Sequence, residues 1–245
     1  MIVDTLCAVL ALVLGGVLKG ATGAGAPLIA VPIIAMLYDV PLAVAILAVP
    51  SLLANVWQAW SYRRDRPSPG FVAAFAGAGA AGAIAGTIML ANLPSAMLLL
   101  MVAAAVFAYI AFRLLRPDWV LSFALGRRLA APAGFLGGVL QGASGVSAPA
   151  SITFLNAMKL ERPAFIGTIT LFFVSMSMVQ IPMLVAYGFM TPPIVLLGLG
   201  ALGVIIASMP LGAYLALHVS RETFDRTILV LLAIIALRLV VTSLY

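Results

Sequence analysis

The chain has 245 residues, of which 64% are hydrophobic and 8% are charged, and its formal net charge at pH 7 is +6. A soluble globular domain carries about 25% charged residues, so this composition excludes a soluble protein and indicates a polytopic helical membrane protein. The positive charge does not by itself require an anionic partner, because lysine and arginine collect in the cytoplasmic loops of membrane proteins. The single cysteine excludes an intramolecular disulfide, and the single histidine leaves little for a metal site.

In the first half of the chain, a glycine-rich break interrupts the first apolar stretch. One apolar arm covers residues 2–20, and a second arm covers residues 27–37. As a helix the second arm is about 16 Å long, which is too short to cross the roughly 30 Å of hydrocarbon in a bilayer. We therefore predict a broken helix hairpin at 2–37 and then three full transmembrane helices, at residues 42–60, 70–90 and 96–115.

The second half of the chain repeats the first. The segment GGVLKGATGAGAP at residues 15–27 returns 122 positions later as GGVLQGASGVSAP at residues 137–149, with nine of thirteen residues identical. The register holds without a gap as far as Gln58 and Gln180. Such a match indicates an internal duplication, in which each copy carries a glycine-broken apolar segment.

The duplication divides the chain into two homologous repeats, residues 1–117 and 129–245, joined by a basic cytoplasmic linker at 118–128. The second repeat is expected to hold a hairpin followed by three full helices, at residues 130–158, 163–187, 192–216 and 225–243. The predicted fold class is an all-α polytopic membrane protein with two repeats, each a glycine-broken helix hairpin plus three transmembrane helices.

The distribution of positive charge favours inverted repeats. If each hairpin enters and leaves on one face, each half crosses the membrane three times. The second half is then inverted relative to the first. With the N-terminus outside, eleven cationic residues are then cytoplasmic and none lies in an outer loop: Arg63, Arg64, Arg66, Arg113, Arg116, Arg127, Arg128, Lys159, Arg162, Arg221 and Arg226. Eight helices with parallel halves would divide them seven to four, which the positive-inside rule disfavours. Re-entrant hairpins and fully spanning pairs of arms have the same parity, so both stay open.

The two breaks are the predicted substrate site. In lipid, unpaired backbone polar groups are too costly to expose, so a break at membrane depth is enclosed by protein or lines a wet cavity. After each break a proline stands at a plausible first helical position, and the free backbone N–H groups of the residues at such a helix start attract anions. The residues expected to bind at the breaks are glycines, prolines and small hydroxyls: Thr22, Gly23, Gly25, Pro27, Ser144, Gly145, Ser147 and Pro149. The alternative is that these small residues only permit tight helix packing.

Lys19 ends the first arm, one residue before the break, and its counterpart is Gln141. A charge inside a membrane is a functional candidate, and here it would bind an anion directly. The alternative is that Lys19 snorkels to a membrane interface. Asn55, Gln58, Ser177 and Gln180 are polar positions in the first full helix of each half, where they are expected either to line a pore or to make interhelical hydrogen bonds.

The glycine motifs, each closed by a proline, resemble those of the TauE/SafE sulfite and sulfonate exporter family. The resemblance covers nearly the whole chain, including the duplication and the step Gly167-Thr168 near the start of a helix. It implies a multi-pass transporter of organosulfur compounds and sulfur oxyanions in the bacterial inner (plasma) membrane. The sequence departs from the family pattern at Gly25-Ala26 and Ser147-Ala148, where paired glycines are common, and at Ala45-Ile46, the counterpart of Gly167-Thr168. These departures leave the substrate open.

We therefore expect a secondary transporter, an exporter, of a small oxyanion such as sulfite or an organosulfonate. The expected partners are the small anion and the lipid bilayer, with no nucleic acid, no metal and no cofactor; a homodimer is left open. Because no carboxylate falls in the middle of a predicted span, a proton or sodium carrier is missing, which suits export. The alternatives are an ion-coupled uptake permease and a membrane-embedded enzyme. The enzyme is disfavoured because the spans lack paired carboxylates, a histidine cluster or a Cys/His pair.

Overall fold

The computed structural model describes residues 2–22, 26–116, 119–218 and 221–243, and within 221–225 only the backbone. This part of the chain is all-α, as predicted. Its helices are, in chain order, α1 (Ile2–Thr22), α2 (Ala26–Leu37), α3 (Val40–Ser61), α4 (Pro69–Asn92), α5 (Ser95–Leu115), α6 (Phe123–Ser144), α7 (Ser151–Ala157), α8 (Arg162–Ala186), α9 (Pro192–His218) and α10 (Arg221–Ser243).

Seven helical segments in the described part of the chain are long and apolar enough to cross a membrane, which confirms a multi-pass membrane protein. They are α1, α3, α4, α5, α8, α9 and residues Arg226–Ser243 of α10. Helix α2 has 12 residues and is too short to span. It is buried on nearly every side, so it lies at the centre of the fold rather than against lipid.

Two boundaries in the second half differ from the predicted ones. Helix α6 begins at Phe123 rather than near residue 130, because the hydroxyl of Ser122 caps it by accepting the N–H of Leu125 at 3.4 Å. Half of the predicted linker 118–128 therefore belongs to this helix. Helix α7 begins at Ser151 rather than Pro149 and has only seven residues. The N–H of Thr153 bonds to the carbonyl of Ala148, five residues back, which delays the regular helical ladder.

Helices from opposite halves cross each other at glycines. Helix α1 packs on α9, and α6 packs on α4. A side chain at Gly20 would overlap the backbone of Met209, and one at Gly142 would overlap the backbone of Ala83. At a spacing of 122 residues, α1 corresponds to α6 and α4 corresponds to α9, so the packing of α1 on α9 is equivalent to the packing of α6 on α4. The pairs α3 on α8 and α5 on α10 each consist of two corresponding helices. Two equivalent halves would pack in this pattern, and the duplication itself stays a prediction.

One contact bears on the relative direction of the halves. The guanidinium of Arg66, in the loop after α3, donates to the carbonyl of Gly167 near the start of α8 at 3.1 Å, and also to the carbonyl of Ala59. Burial, with the nearby charge of Arg63, lowers the pKa of Arg66. The contact places the end of α3 and the start of α8 on the same face, as inverted halves require. Parallel halves would put these two segments on opposite faces.

Candidate functional site

The start of α2 lies inside the protein, against the helix that precedes it. Helix α1 runs back along α2, and a side chain at Gly15 would meet the carbonyl oxygen of Ala26 at 2.7 Å. Glycine is therefore needed at this position for the two arms of the first hairpin to pack closely. The packing brings the end of α1, with Lys19, beside Pro27 at the start of α2, and both residues line the same cavity.

Lys19 is a buried cation with a neutral partner. Its side chain is only 5% exposed, and its ammonium donates a hydrogen bond of 3.0 Å to Oδ1 of Asn55. Within the described part of the chain the ammonium has no carboxylate partner. Removing a charge from water without a counter-charge costs several kcal/mol, so an anion next to Lys19 would be strongly favoured. The ammonium lies inside the protein and not at its surface, which is the geometry of a ligand rather than of a snorkelling side chain.

A first cavity, of about 20 Å³, adjoins this pair. Its walls come from the first break, from α3, and from α8 and α9 of the other half: Lys19, Ala26, Pro27, Leu47, Pro50, Ser51, Ala54, Asn55, Phe173 and Ile205. Ser51 and Asn55 are one helical turn apart and so share a face of α3. The polar part of this wall holds one cation, one amide and one hydroxyl, and no carboxylate.

A second cavity, of about 10 Å³, shares Pro27, Leu47 and Ser51 with the first. Its walls are Pro27, Val31, Val44, Leu47, Ala48, Ser51, Gln141, Gly145, Ser177 and Gln180. Pro27 follows the first break and Gly145 lies in the second, so this cavity joins the two. Its polar walls are all neutral, and Gln141 occupies the place that Lys19 has in the other half.

Gly145 forms the second break by ending α6 in the left-handed conformation. Its φ is +69°, and its N–H bonds to the carbonyl of Gln141 at 2.8 Å. A side chain here would also lie 3.0 Å from a methyl group of Val31 on α2. Glycine is required both by the backbone angle and by the close approach of the two arms.

The hydroxyls predicted at the breaks do not face the cavities. Thr22 donates to the carbonyl of Leu18 at 2.8 Å, and Ser144 donates to that of Leu140 at 2.7 Å, so both hydroxyl protons stay within their own helices. Ser147 is buried and accepts the hydroxyl of Ser151 at 3.0 Å. These three residues and Pro149 are absent from the walls of both cavities. Gly23 and Gly25 lie outside the described residues.

The glutamines of α6 and α8 line the second cavity, whereas that of α3 does not. Gln180 donates to the carbonyl of Gly142 at 3.4 Å and lines the cavity with Gln141. Gln58 is buried one turn beyond Asn55, outside both cavity walls. The Oε1 atoms of Gln58 and Gln141 are buried without a hydrogen-bond donor, which costs about 1–3 kcal/mol each unless water or a ligand supplies one.

Ser51 and Phe173 are wall residues outside the predicted site, whereas Ser177 was among the polar positions expected to line a pore or to bond between helices. Ser51 and Ser177, unlike Thr22 and Ser144, do not donate to a carbonyl of their own helix in the described part of the chain, so their hydroxyls are available to a ligand. Phe173 adds an aromatic side chain to the wall. Helical spacing was the signal for the two serines, and the sequence alone does not distinguish Phe173 from a core residue. Ser51 precedes Asn55 by one turn, and Phe173 and Ser177 lie on the face of α8 that carries Gln180.

Comparison with known proteins gives one match. The family model described as sulfite exporter TauE/SafE matches residues 8–239, nearly the whole chain. No curated protein and no solved structure matches significantly. Within the described residues, no group of three histidine, cysteine or acidic side chains is placed to hold a metal ion.

Proposed function

Since the chain belongs to the sulfite exporter TauE/SafE family, we propose that it is a secondary transporter that exports a small oxyanion such as sulfite or an organosulfonate. The membrane is the bacterial inner membrane, with the N-terminus outside. The substrate binds between the two helix breaks, at the cavities that Lys19 and Gln141 line.

The observation that carries this proposal is the ammonium of Lys19, which is buried with a neutral amide as its polar partner. A lysine ammonium has three donors, and Asn55 uses one of them. The remaining protons suit the oxygens of an oxyanion. A bound anion would also provide the counter-charge that the protein itself does not supply at this place.

The neutral wall residues extend this site. The hydroxyls of Ser51 and Ser177 and the amide of Gln141 can each donate a hydrogen bond to an oxyanion. Neither cavity has an acidic side chain in its wall, so no negative charge there repels an anion. The one charged side chain in the two walls is Lys19, so the site as a whole favours an anion.

The lack of acidic side chains in the cavity walls also supports export. The inside-negative membrane potential favours exit of an anion by about 2.3 kcal/mol per charge per 100 mV, so export needs no coupling ion. The cavity walls contain no carboxylate that would carry a proton or sodium ion. Uptake of the same anion would need such a carrier.

The site in this structure is too small to hold the proposed substrate. The cavities, of about 20 and 10 Å³, have room for about one water molecule each, whereas sulfite has four heavy atoms. Transport therefore requires their walls to move apart. Both α3 and α8 provide wall residues, and Arg66 holds these helices together at one end, so separation of this pair is the motion that the proposal requires.

Potential-driven flux in proteoliposomes tests the proposal. The purified protein is reconstituted, a potassium diffusion potential is set with valinomycin, and movement of labelled sulfite and of a small sulfonate is measured with and without sodium and pH gradients. We expect the potential alone to drive flux. Flux that needs a sodium or proton gradient would indicate a coupled uptake permease, and no flux of any small anion would overturn the proposal.

A further inference from the structure

The ring of Phe173 forms part of the wall of the Lys19 cavity. It lies on α8, is 8% exposed, and faces the same space as Lys19 and Asn55. Its counterpart at the spacing of 122 residues is Ser51, which lines this cavity too. At matched positions of the two halves, therefore, one wall presents a hydroxyl and the other presents an aromatic ring.

The ring contacts a cluster of other aromatic residues. Phe172 meets Phe173 edge-on, with ring centroids 5.8 Å apart, and is itself stacked on Phe75 of α4 with centroids 4.4 Å apart. Phe172 and Phe75 are both fully buried. Interiors packed in this way yield little when a side chain is pushed into them, so the ring of Phe173 cannot move far towards Phe172.

The polar groups of the cavity lie on the walls that α1 and α3 provide. Lys19 contributes the charge, and Asn55 and Ser51 contribute an amide and a hydroxyl. The ring of Phe173 offers no hydrogen bond. An oxyanion would therefore direct its oxygens towards α1 and α3, and any further substituent would have to fit into the volume that the ring limits.

We propose that Phe173 sets the upper size limit of the transported anion. This inference rests on the proposed function. It identifies the side chain that selects by size among anions of the same charge. Once the walls have moved apart to admit a bare oxyanion, a sulfonate with a bulky substituent would still collide with the ring. Serine, the residue at the matched position in the first half, would leave that volume open.

A size series at Phe173 provides the test. Phe173→Ser and Phe173→Ala should raise the flux of benzenesulfonate relative to sulfite by about tenfold or more, since a pocket discriminates roughly 10–200-fold for even one methylene group. Phe173→Leu should lie between these variants and the wild type, and Phe173→Trp should lower the ratio. The matched control is Phe165→Ala, which removes a half-buried ring from the same helix at a position outside both cavity walls.

Each outcome has a separate meaning. Wild-type flux of sulfite, with a ratio that stays the same in the serine, alanine and leucine variants, would overturn the role of Phe173 and leave the transporter intact. A change as large in Phe165→Ala would also overturn it, because the effect would then come from loosened packing. No wild-type flux of either anion would overturn the proposed function and this inference with it. If the serine and alanine variants fail to fold, the leucine and tryptophan variants decide the matter by opposite changes in the ratio.

Discussion

The ammonium nitrogen of Lys19 lies 3.0 Å from Oδ1 of Asn55, and this bond joins α1 to α3 inside the protein. Both side chains are buried, at 5% and 3% exposure. The pair combines a full charge with a neutral partner in a low-dielectric environment, where unpaired charge is costly. The proposed anion would supply the missing counter-charge, and the Lys19 and Asn55 predictions below depend on it.

Replacement of Lys19 by glutamine should weaken anion binding and leave the fold intact. The change makes the first half resemble the second, where Gln141 stands at the matched position, and it adds no bulk. We expect a loss of roughly 1–3 kcal/mol in binding free energy, the scale of a hydrogen bond to a charged group. Titration calorimetry with sulfite on the purified protein measures this loss. The control is Lys159→Gln, which removes the chain's other lysine at an exposed position. Equal affinities for sulfite in all three proteins would show that Lys19 does not bind the anion.

Replacement of Asn55 by aspartate should inhibit transport through charge alone. The side chain keeps its shape but places a carboxylate 3.0 Å from the ammonium of Lys19, where it becomes the missing counter-charge. A substrate anion would then have to compete with a covalently attached one, and we expect sulfite flux to fall at least about tenfold. Asn156→Asp adds the same charge at an exposed position and serves as control. If Asn55→Asp transports sulfite as fast as the wild type, the pair is a structural contact only.

Gly145→Val should abolish transport, whereas Gly188→Val should preserve it. Both glycines have positive φ, +69° and +77°, so both substitutions carry a backbone cost of roughly 1–2 kcal/mol. Only Gly145 also approaches another side chain, with Val31 at 3.0 Å, whereas nothing lies within 4 Å of the space beside Gly188. Sulfite flux and the thermal unfolding midpoint are measured for each variant. Backbone strain should lower the midpoint of both variants, whereas crowding of the break should abolish flux in Gly145→Val alone. Normal transport by Gly145→Val would mean that the second break is only a packing device.

Inverted halves predict that Ser68 and Thr223 lie on the same, cytoplasmic side of the membrane. Single cysteines at these positions are introduced in a Cys7→Ser background, because the native Cys7 is exposed. An impermeant maleimide applied to intact cells should label neither site until the cells are opened. Labelling of one site from outside with protection of the other would contradict the inverted arrangement.

Much of the fold follows from the sequence because hydrophobic segments long enough to span a bilayer are unambiguous. The break at Gly145 was also predictable, because a glycine with a proline four residues later is unusual in a long apolar segment. The start of α6 was missed because Arg127 and Arg128 interrupt the apolar run, although the helix begins before them at Phe123.

The wall of the site was harder to predict than its charge. Lys19 stands out because a charge in an apolar run is rare. The bond from Lys19 to Asn55 joins residues 36 positions apart, and such a bond depends on how two helices cross. Phe173 looks like any core residue in sequence, and only the packing of α8 against α3 brings it to the cavity. Thr22 and Ser144 were attractive because they lie in the motif, yet each hydroxyl bonds to its own helix, as buried hydroxyls in apolar helices readily do.

An experimental structure with a bound anion tests the central claim most directly. Selenite has the shape and charge of sulfite, and its selenium can be located by anomalous scattering. The account predicts one selenium peak between the breaks, with an anion oxygen within about 3 Å of the Lys19 ammonium and with Ser51 and Pro27 beside it. The two cavities should be enlarged and merged around the anion. A peak confined to the surface arginines at 63–66, with the Lys19–Asn55 bond unchanged and the cavities still closed, would contradict it.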